Sequence, residues 1–387
     1  MPRATLDTEK AVLERYGRAA RKTEGALCCV TSYDPRYLEA IPEEILRRDY
    51  GCGDPTPYVR AGDTVLDLGS GAGKACFILA QIVGRKGKVI GVDFNPEMLT
   101  LARQHQPAVA RRLGYDNVVF HRGRIQDLAL PLDEVEAYLA SHPVRSAAAL
   151  AEFEAFADRL RVKAPLIADN SVDVIVSNCV LNLVKDTDKE KLFTEMYRVL
   201  KRGGRAAISD IVSDEDVPAA MKHDAKLWSG CIAGAFREDK FLEAFERAGF
   251  YGIEIERRDA KPWQTVHGIE FRSVTVTARK GKEGPCLERK QAVLYKGPWR
   301  EVRDDDGHTL RRGQRMAVCD KTYKILTSAP YSEDVIPVPP RREVPLSQAR
   351  GFACSGAAVR DPRETKGKRY AKTTAPTQGV CGPEGCC

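Results

Sequence analysis

Residues 65–73 read VLDLGSGAG, and this short stretch decides the fold. Its apolar run, Val65, Leu66 and Leu68, has the pattern of a strand buried on both faces, and it runs straight into three glycines. Gly69, Gly71 and Gly73 let the backbone turn sharply and approach a ligand. The helical pattern at 74–83 then offers its N-terminus to a carboxylate. A dinucleotide fingerprint spaces its glycines G-x-G-x-x-G; here the third comes one residue early, and an acid, Asp67, precedes the turn. Downstream, KVIGVD (88–93) ends a strand on Asp93, where a carboxylate can take both hydroxyls of a ribose. Loop, preceding acid and spaced acid together predict a nucleotide-type cofactor.

Outward from this loop, the strand-like runs TVLDLG, KVIGVD, NVVFHRG, VDVIVSN and RAAISDI alternate with helical patterns at 74–83, 96–113 and 189–200. Such alternation predicts an α/β fold, a doubly wound, Rossmann-like sheet. The Ala/Glu/Leu-rich segment 132–160 reads as extra helix inserted without changing strand order. A helix over 1–22, with Val12, Leu13 and Tyr16 on one face, predicts a flanking arm, so 1–59 is set apart as arm and cysteine loop from a core domain at 60–280. Beyond 209, AAMKHDAKLWSGCIAGA and DKFLEAFERAG read as helices, and IEIERR and SVTVTARK as strands at the sheet's far edge. A smaller β-rich domain is expected over 281–354, where strand patterns flank a DDDG turn. From 355 the chain is Gly, Pro, Lys and Thr with few large apolar residues, which predicts a flexible tail, 355–387, ending in CGPEGCC.

The 61 basic and 54 acidic side chains, net +7, are interleaved without like-charge blocks, so nucleic acid is not an expected partner. GRKGK at 84–88 and Arg341-Arg342 read as solvated loop charges. No run reaches the roughly 18–20 apolar residues of a membrane span, and the N-terminus has no apolar signal region. The expectation is a cytoplasmic monomer with no membrane partner. The 12 cysteines lack the paired C-x2-C spacing of structural zinc, and without an export signal they read as free or catalytic thiols rather than a disulfide framework.

The glycine loop with Asp67 and Asp93 resembles class I S-adenosylmethionine methyltransferases over about residues 60–210. That resemblance implies S-adenosylmethionine as cofactor, with Asp67 near the amino group of its methionine moiety and Met98, Ile125 and Gln126 near adenine. Gly69, Ser70, Gly71, Gly73, Asp93 and Asn178 complete the expected cofactor site. Asn178-Cys179 follows a strand, at the edge where this fold holds its ligands. Cys231 lies in SGCIAGA, and Cys52 in YGCGDPTP, a Gly/Pro-rich loop suited to folding over the crevice. A methyltransferase for oxygen or nitrogen acceptors would want a general base here; the sequence supplies thiols, which select soft, thiophilic centres such as arsenite.

YGCGDPTP, SNCVLNLV and LWSGCIAGAF resemble the motifs of arsenite S-adenosylmethionine methyltransferases, and LYKGPWREVRDDDG with RMAVCDKTYKIL resembles their C-terminal domain. The resemblance, spanning nearly 28–330, implies As(III) held by Cys179 and Cys231, with Cys52 joining them or forming a disulfide. It implies a redox relay through Cys28 or Cys29, arsenite or its glutathione conjugate as substrate, thioredoxin or glutathione as reductant, and a role in arsenic detoxification. Cys76, Cys286, Cys319 and Cys354 read as core, since free cysteine is among the most buried residue types. Cys381, Cys386 and Cys387 read either as an arsenic-capturing tail or as an inert one. Two other readings exist: a quinone- or sterol-type C-methyltransferase leaves the three motif cysteines unexplained, and a non-catalytic arsenic-binding protein leaves the cofactor loop without purpose.

Overall fold

A computed structural model describes residues 6–27, 33–354 and 358–366. The chain divides into two compact units, 1–281 and 282–387. In the first, nine strands form one sheet: β1 (Thr64–Leu68), β2 (Lys88–Asp93), β3 (Val118–Arg122), β4 (Val172–Asn178), β5 (Leu200–Ser213), β6 (Phe236–Arg237), β7 (Tyr251–Arg258), β8 (Gln264–Val266) and β9 (Ile269–Arg279). The main path runs β3-β2-β1-β4-β5-β9-β7. Strands β1 to β5 pair in parallel, and β9 and β7 close the far edge antiparallel. This is the doubly wound sheet that the sequence predicts.

The apolar runs form strands here because both faces are covered. Val65, Val174 and Val176 pack with Phe77 and Ile78 on one side, whereas their alternating neighbours Leu66, Leu68 and Ile175 join Phe193, Phe241 and Phe245 on the other. Each such side chain, fully buried, contributes about 1.5–3 kcal/mol. Chain order reverses at β1, whose neighbours are β2 and β4, so the crevice opens above the C-terminal ends of β1 and β4. The inserted helices Leu132–Ser141 and Ala147–Lys163 form a satellite cluster around Val135 and Ala157, with Tyr138 stacked on Phe156 at 4.0 Å.

Three expectations need correction. The N-terminal helix, Thr8–Arg21, is no flanking arm: Val12 packs with buried Trp228 and Ala233, and Arg15 donates to the Lys226 carbonyl (2.9 Å) and Ser229 Oγ (3.2 Å). Segment 219–235 is not one helix but two short ones, Ala219–Lys222 and Ala225–Trp228. Asp224 caps the second, accepting from the N–H groups of Lys226 and Leu227, a cap that starts a new helix rather than continuing the old. The tail does not begin at 355 throughout: residues 358–366 contain the helix Pro362–Thr365, and buried Arg360 grips Glu288 (2.8 and 2.9 Å) and the Gln291 carbonyl.

The second unit contains β10 (Leu287–Glu288), β11 (Ala292–Tyr295), β12 (Glu301–Arg303), β13 (Thr309–Arg311), β14 (Arg315–Ala317), β15 (Val335–Val338) and β16 (Arg350–Gly351). They pair as the sheet β14-β11-β15, the hairpin β12-β13 and the ladder β10-β16. The DDDG sequence forms the hairpin turn: Asp304 Oδ1 accepts from the N–H groups of Asp306 and His308, and Gly307 takes φ +84°.

Candidate functional site

Strand register builds the site. Leu68 pairs with Ser177, so the glycine turn after β1 lies beside Asn178 and Cys179 after β4. Between these ends lies a cleft of about 1130 Å³, counting its open mouth, lined by Asp67, Gly69, Ser70, Gly71, Asp93, Met98, Ile125, Gln126, Asn178 and Cys179. Gly73 is the exception among the expected cofactor residues. It caps the next helix at φ +89°, and a Cβ there would sit 2.8 Å from Phe120 Cζ, so its glycine serves the turn and its packing.

Each polar group in the cleft has a defined environment. Asp93 Oδ2 accepts from Gly71 N and Oδ1 from Asn95 N, both at 2.8 Å, which fixes the carboxylate across the loop. A carboxylate has roughly four lone-pair positions, so acceptor capacity remains for a ligand's hydroxyls. Asp67 is 3% exposed and accepts from the Cys76 thiol at 3.2 Å. Burial, with smaller contributions from the Asp93 and Asp49 charges, pushes its carboxyl up to about 7 against that hydrogen bond. A cationic ligand group would supply the charge that this buried acid lacks. Ser70 Oγ is buried without a hydrogen-bond partner, which marks a position for a polar ligand atom.

The N-terminal helix contributes Glu9, Val12 and Tyr16 to the cleft wall. Glu9 receives both Arg124 nitrogens at 3.1 Å and the Gln126 amide at 3.3 Å. Sequence reading passed over Glu9 and gave Val12 and Tyr16 only a helix face, because nothing in a helical stripe says what it will cover. It also missed Lys74, paired with Asp49 at 2.7 Å and lying 4.3 Å from the centre of the Tyr33 ring.

The three motif cysteines converge at the side of this cleft. Cys52 and Cys179 form a disulfide with their Cα atoms 5.7 Å apart, and the Cys231 thiol donates to the Cys179 carbonyl at 3.3 Å. Of the three, Cys179 lines the cleft. Cys179 and Cys231 take φ +62° and +61°, a left-handed backbone that costs a side-chain-bearing residue about 1–3 kcal/mol and recurs at functional sites. The Asn178 amide is engaged by the Cys52 loop: it accepts from Cys52 N (2.8 Å) and Gly53 N (3.1 Å) and donates to the Gly53 carbonyl (2.6 Å) and Tyr33 hydroxyl (2.9 Å). Asn178 thus lines the cleft and at the same time positions the Cys52 loop.

Asp210, unmarked in the sequence reading, lies within 4.8 Å of both disulfide sulfurs. It is 1% exposed and accepts from Leu181 N (2.9 Å), Asn182 Nδ2 (2.8 Å) and Ile211 N (2.8 Å); burial outweighs these bonds and pushes its carboxyl up to about 6. An acid inside the apolar run AAISDIV was the available signal. Burial, then the neighbouring Cys231 charge, pushes the Tyr16 phenol well up, so it stays protonated beside that thiol. Cys28, Cys29, Cys381, Cys386 and Cys387 lie outside the described residues. Of Cys286, Cys319 and Cys354, expected as core, Cys319 is buried and the other two half-buried, and all three lie together in the second unit.

A doubly wound sheet whose first loop joins a buried acid to a glycine turn, with a second acid ending β2, defines a class I S-adenosylmethionine-dependent methyltransferase. A family described as a methyltransferase domain matches residues 60–153 and 150–249, and a domain of unknown function (DUF8838) matches 282–370. The chain belongs to the arsenite methyltransferase family. It is 31% identical over 342 residues to the arsenite methyltransferase of Aquipseudomonas alcaligenes, covering 84% of this chain and 88% of that one. It is 29% identical over 401 residues to that of Mus musculus, covering 98% and 96%. Among solved structures it resembles CrArsM, an arsenic(III) S-adenosylmethionine methyltransferase from Chlamydomonas reinhardtii, with a TM-score of 0.51 and 26% identity over 84% of this chain and 98% of that one. The cofactor is S-adenosylmethionine, and the site fits it: an acid poised to ionise, an unpartnered buried hydroxyl and a backbone-held carboxylate line one cleft.

Proposed function

We propose that this enzyme methylates trivalent arsenic held by the thiols of Cys179 and Cys231, with Cys52 completing the cycle as reductant. The observation that carries the reading is the convergence of Cys52, Cys179 and Cys231 beside the cleft whose wall includes Cys179. Arsenite, free or as a glutathione conjugate, exchanges oxygen or sulfur ligands for the two protein thiols, each exchange releasing water or glutathione. The left-handed backbones of both residues fix where those sulfurs point, and that positioning lowers the barrier by orientation.

S-adenosylmethionine, when bound, supplies an electrophilic methyl that leaves the arsenic it reaches formally pentavalent. In this chain Asp67 serves the ammonium end of that cofactor, Ser70 its carboxylate and Asp93 its ribose hydroxyls. Met98 and Ile125 offer apolar surface to the adenine, and Gln126, held by Glu9, closes that side. Methyl transfer to the arsenic needs no base, because arsenic attacks with a lone pair. Closing Cys52 onto Cys179 yields two electrons, returning the arsenic to the trivalent state. Thiol exchange with Cys28 or Cys29, and then with thioredoxin or glutathione, reopens the site. The physiological role would be arsenic detoxification by a cytoplasmic monomer. No described helix is long and apolar enough to cross a membrane.

The test is incubation of the purified chain with arsenite, S-adenosylmethionine and a thiol reductant, followed by arsenic speciation. Cofactor-dependent methylarsenicals are expected. Tight arsenite binding without methylation would favour a sequestering protein, and neither binding nor methylation would end the thiolate reading.

A further inference from the structure

Among the described residues the second unit holds three free thiols that have no part in the methyl transfer proposed above. Cys286 lies just before β10, Cys319 begins the helix Asp320–Leu326, and Cys354 follows β16. The β10-β16 ladder, extended by Phe352 N donating to the Cys286 carbonyl at 2.9 Å, brings the first and last of these together over the third. Each sulfur lies within 4.8 Å of the other two. At that spacing the three sulfurs need only a small approach to reach one soft ion at bonds of about 2.3 Å, with the ion seated above their plane. Cys319 is fully buried while Cys286 and Cys354 are half-buried, so the pocket has a floor and an accessible rim.

We propose that Cys286, Cys319 and Cys354 form a second arsenite-binding site, a tri-thiolate seat for As(III) separate from the methyl-transfer centre. Its ligand number suits that ion. Among the described residues the group offers three donors, where structural zinc takes four. Trivalent arsenic takes three and keeps a lone pair in the remaining position. Binding is a condensation: three As–O bonds of As(OH)₃ break, three As–S bonds form, and each thiol proton leaves in one of three waters. No oxidation occurs.

The protonation pattern agrees. Burial, with the neighbouring thiols Cys286 and Cys319, pushes Cys354 up to about 12, so it enters as a thiol. Burial opposes ionisation of Cys319 too, but bonds from the Thr322 hydroxyl and N–H and from the other two thiols outweigh it and hold that sulfur below its ordinary value. The inference rests on the family's substrate but on none of the chemistry at Cys52, Cys179 or Cys231.

Residue-resolved alkylation tests it. The reduced full chain is treated with iodoacetamide with and without inorganic arsenite, and labelling of each cysteine is read by peptide mass spectrometry. Arsenite is expected to protect Cys286 and Cys354 together, and still to do so in a Cys179→Ser/Cys231→Ser variant that has lost methylation. In Cys354→Ser, a change at a half-buried loop position, protecting Cys286 should take on the order of a hundredfold more arsenite, the cost of one lost tethered ligand. Unchanged labelling of Cys286 at saturating arsenite, or full protection surviving Cys354→Ser, overturns the proposal. So does one equivalent of tightly held zinc in the purified chain that disappears in Cys354→Ser. Cys319→Ser, checked by circular dichroism, gives a second variant expected to behave like Cys354→Ser.

Discussion

Replacing Asp67 by Asn is expected to make the cofactor-free enzyme more stable and less able to bind its cofactor, with a stability gain that grows with pH. Folding moves the Asp67 carboxyl from an ordinary value of 3.8 to about 7, chiefly by burial. Across that window the unfolded chain has released a proton that the folded chain retains. Stability contributed by this group is therefore full below 3.8, falls as pH rises, and is lowest above about 7. At about 1.4 kcal/mol per pH unit, the full loss is about 4 kcal/mol. Asn keeps the size of the side chain and an oxygen to accept from Cys76, but it does not titrate. The variant should exceed the parent by about 1–2 kcal/mol at pH 5 and about 4 kcal/mol at pH 8. Urea unfolding under reducing conditions, followed by the fluorescence of buried Trp228 in the same unit, measures the gap. Calorimetric titration with S-adenosylmethionine should show affinity falling by roughly tenfold or more, since a charge-assisted bond to the cofactor's ammonium is lost. A gap that does not change between pH 5 and pH 8, or a variant less stable than the parent at pH 8, would refute the reasoning.

Cys179→Ser and Cys231→Ser should each abolish methylation of both arsenite and methylarsenite, whereas Cys52→Ser should spare methylarsenite, all read by arsenic speciation. Asn178→Ala strips three hydrogen bonds from the Cys52 loop and one from the Tyr33 hydroxyl, at about 2–3 kcal/mol; turnover of arsenite should fall while cofactor affinity, measured by titration, moves by less than about threefold. Gly69→Ala puts a Cβ against Val180 at φ +72°, and should lower the thermal midpoint of the first unit and weaken cofactor binding together.

What could be read in the sequence was what depends on neighbours along the chain. The helices Lys74–Val83 and Pro96–Leu113 follow from their periodicity, and the sheet from alternating runs that commit adjacent residues to opposite faces. The glycine turn and the position of Asp93 are local geometry too. What escaped depends on tertiary placement. Glu9 and Tyr16 gain meaning only when the N-terminal helix settles over the cleft. Asn178 was legible as a cleft residue because it ends a strand, but its hold on a loop more than a hundred residues away was not. Cys286, Cys319 and Cys354 sit in three different local settings, and no periodicity links them until β10 meets β16. Arg360 lies in a stretch whose composition suggests disorder, yet its ion pair with Glu288 ties it down.

The two left-handed cysteines also bear on how such an enzyme ages. Glycine would relax the backbone at 179 and at 231, so at each position a change that removes a proposed arsenic ligand is also one that relieves strain. Most inactivating mutations are opposed twice, by lost function and by lost stability. Here the second safeguard is weakened, so that under the proposed mechanism exposure to the metalloid alone would keep sulfur in place. In a lineage no longer meeting arsenic, these two codons are where decay should begin, ahead of the glycine turn and the sheet that would still fold around a silent pocket.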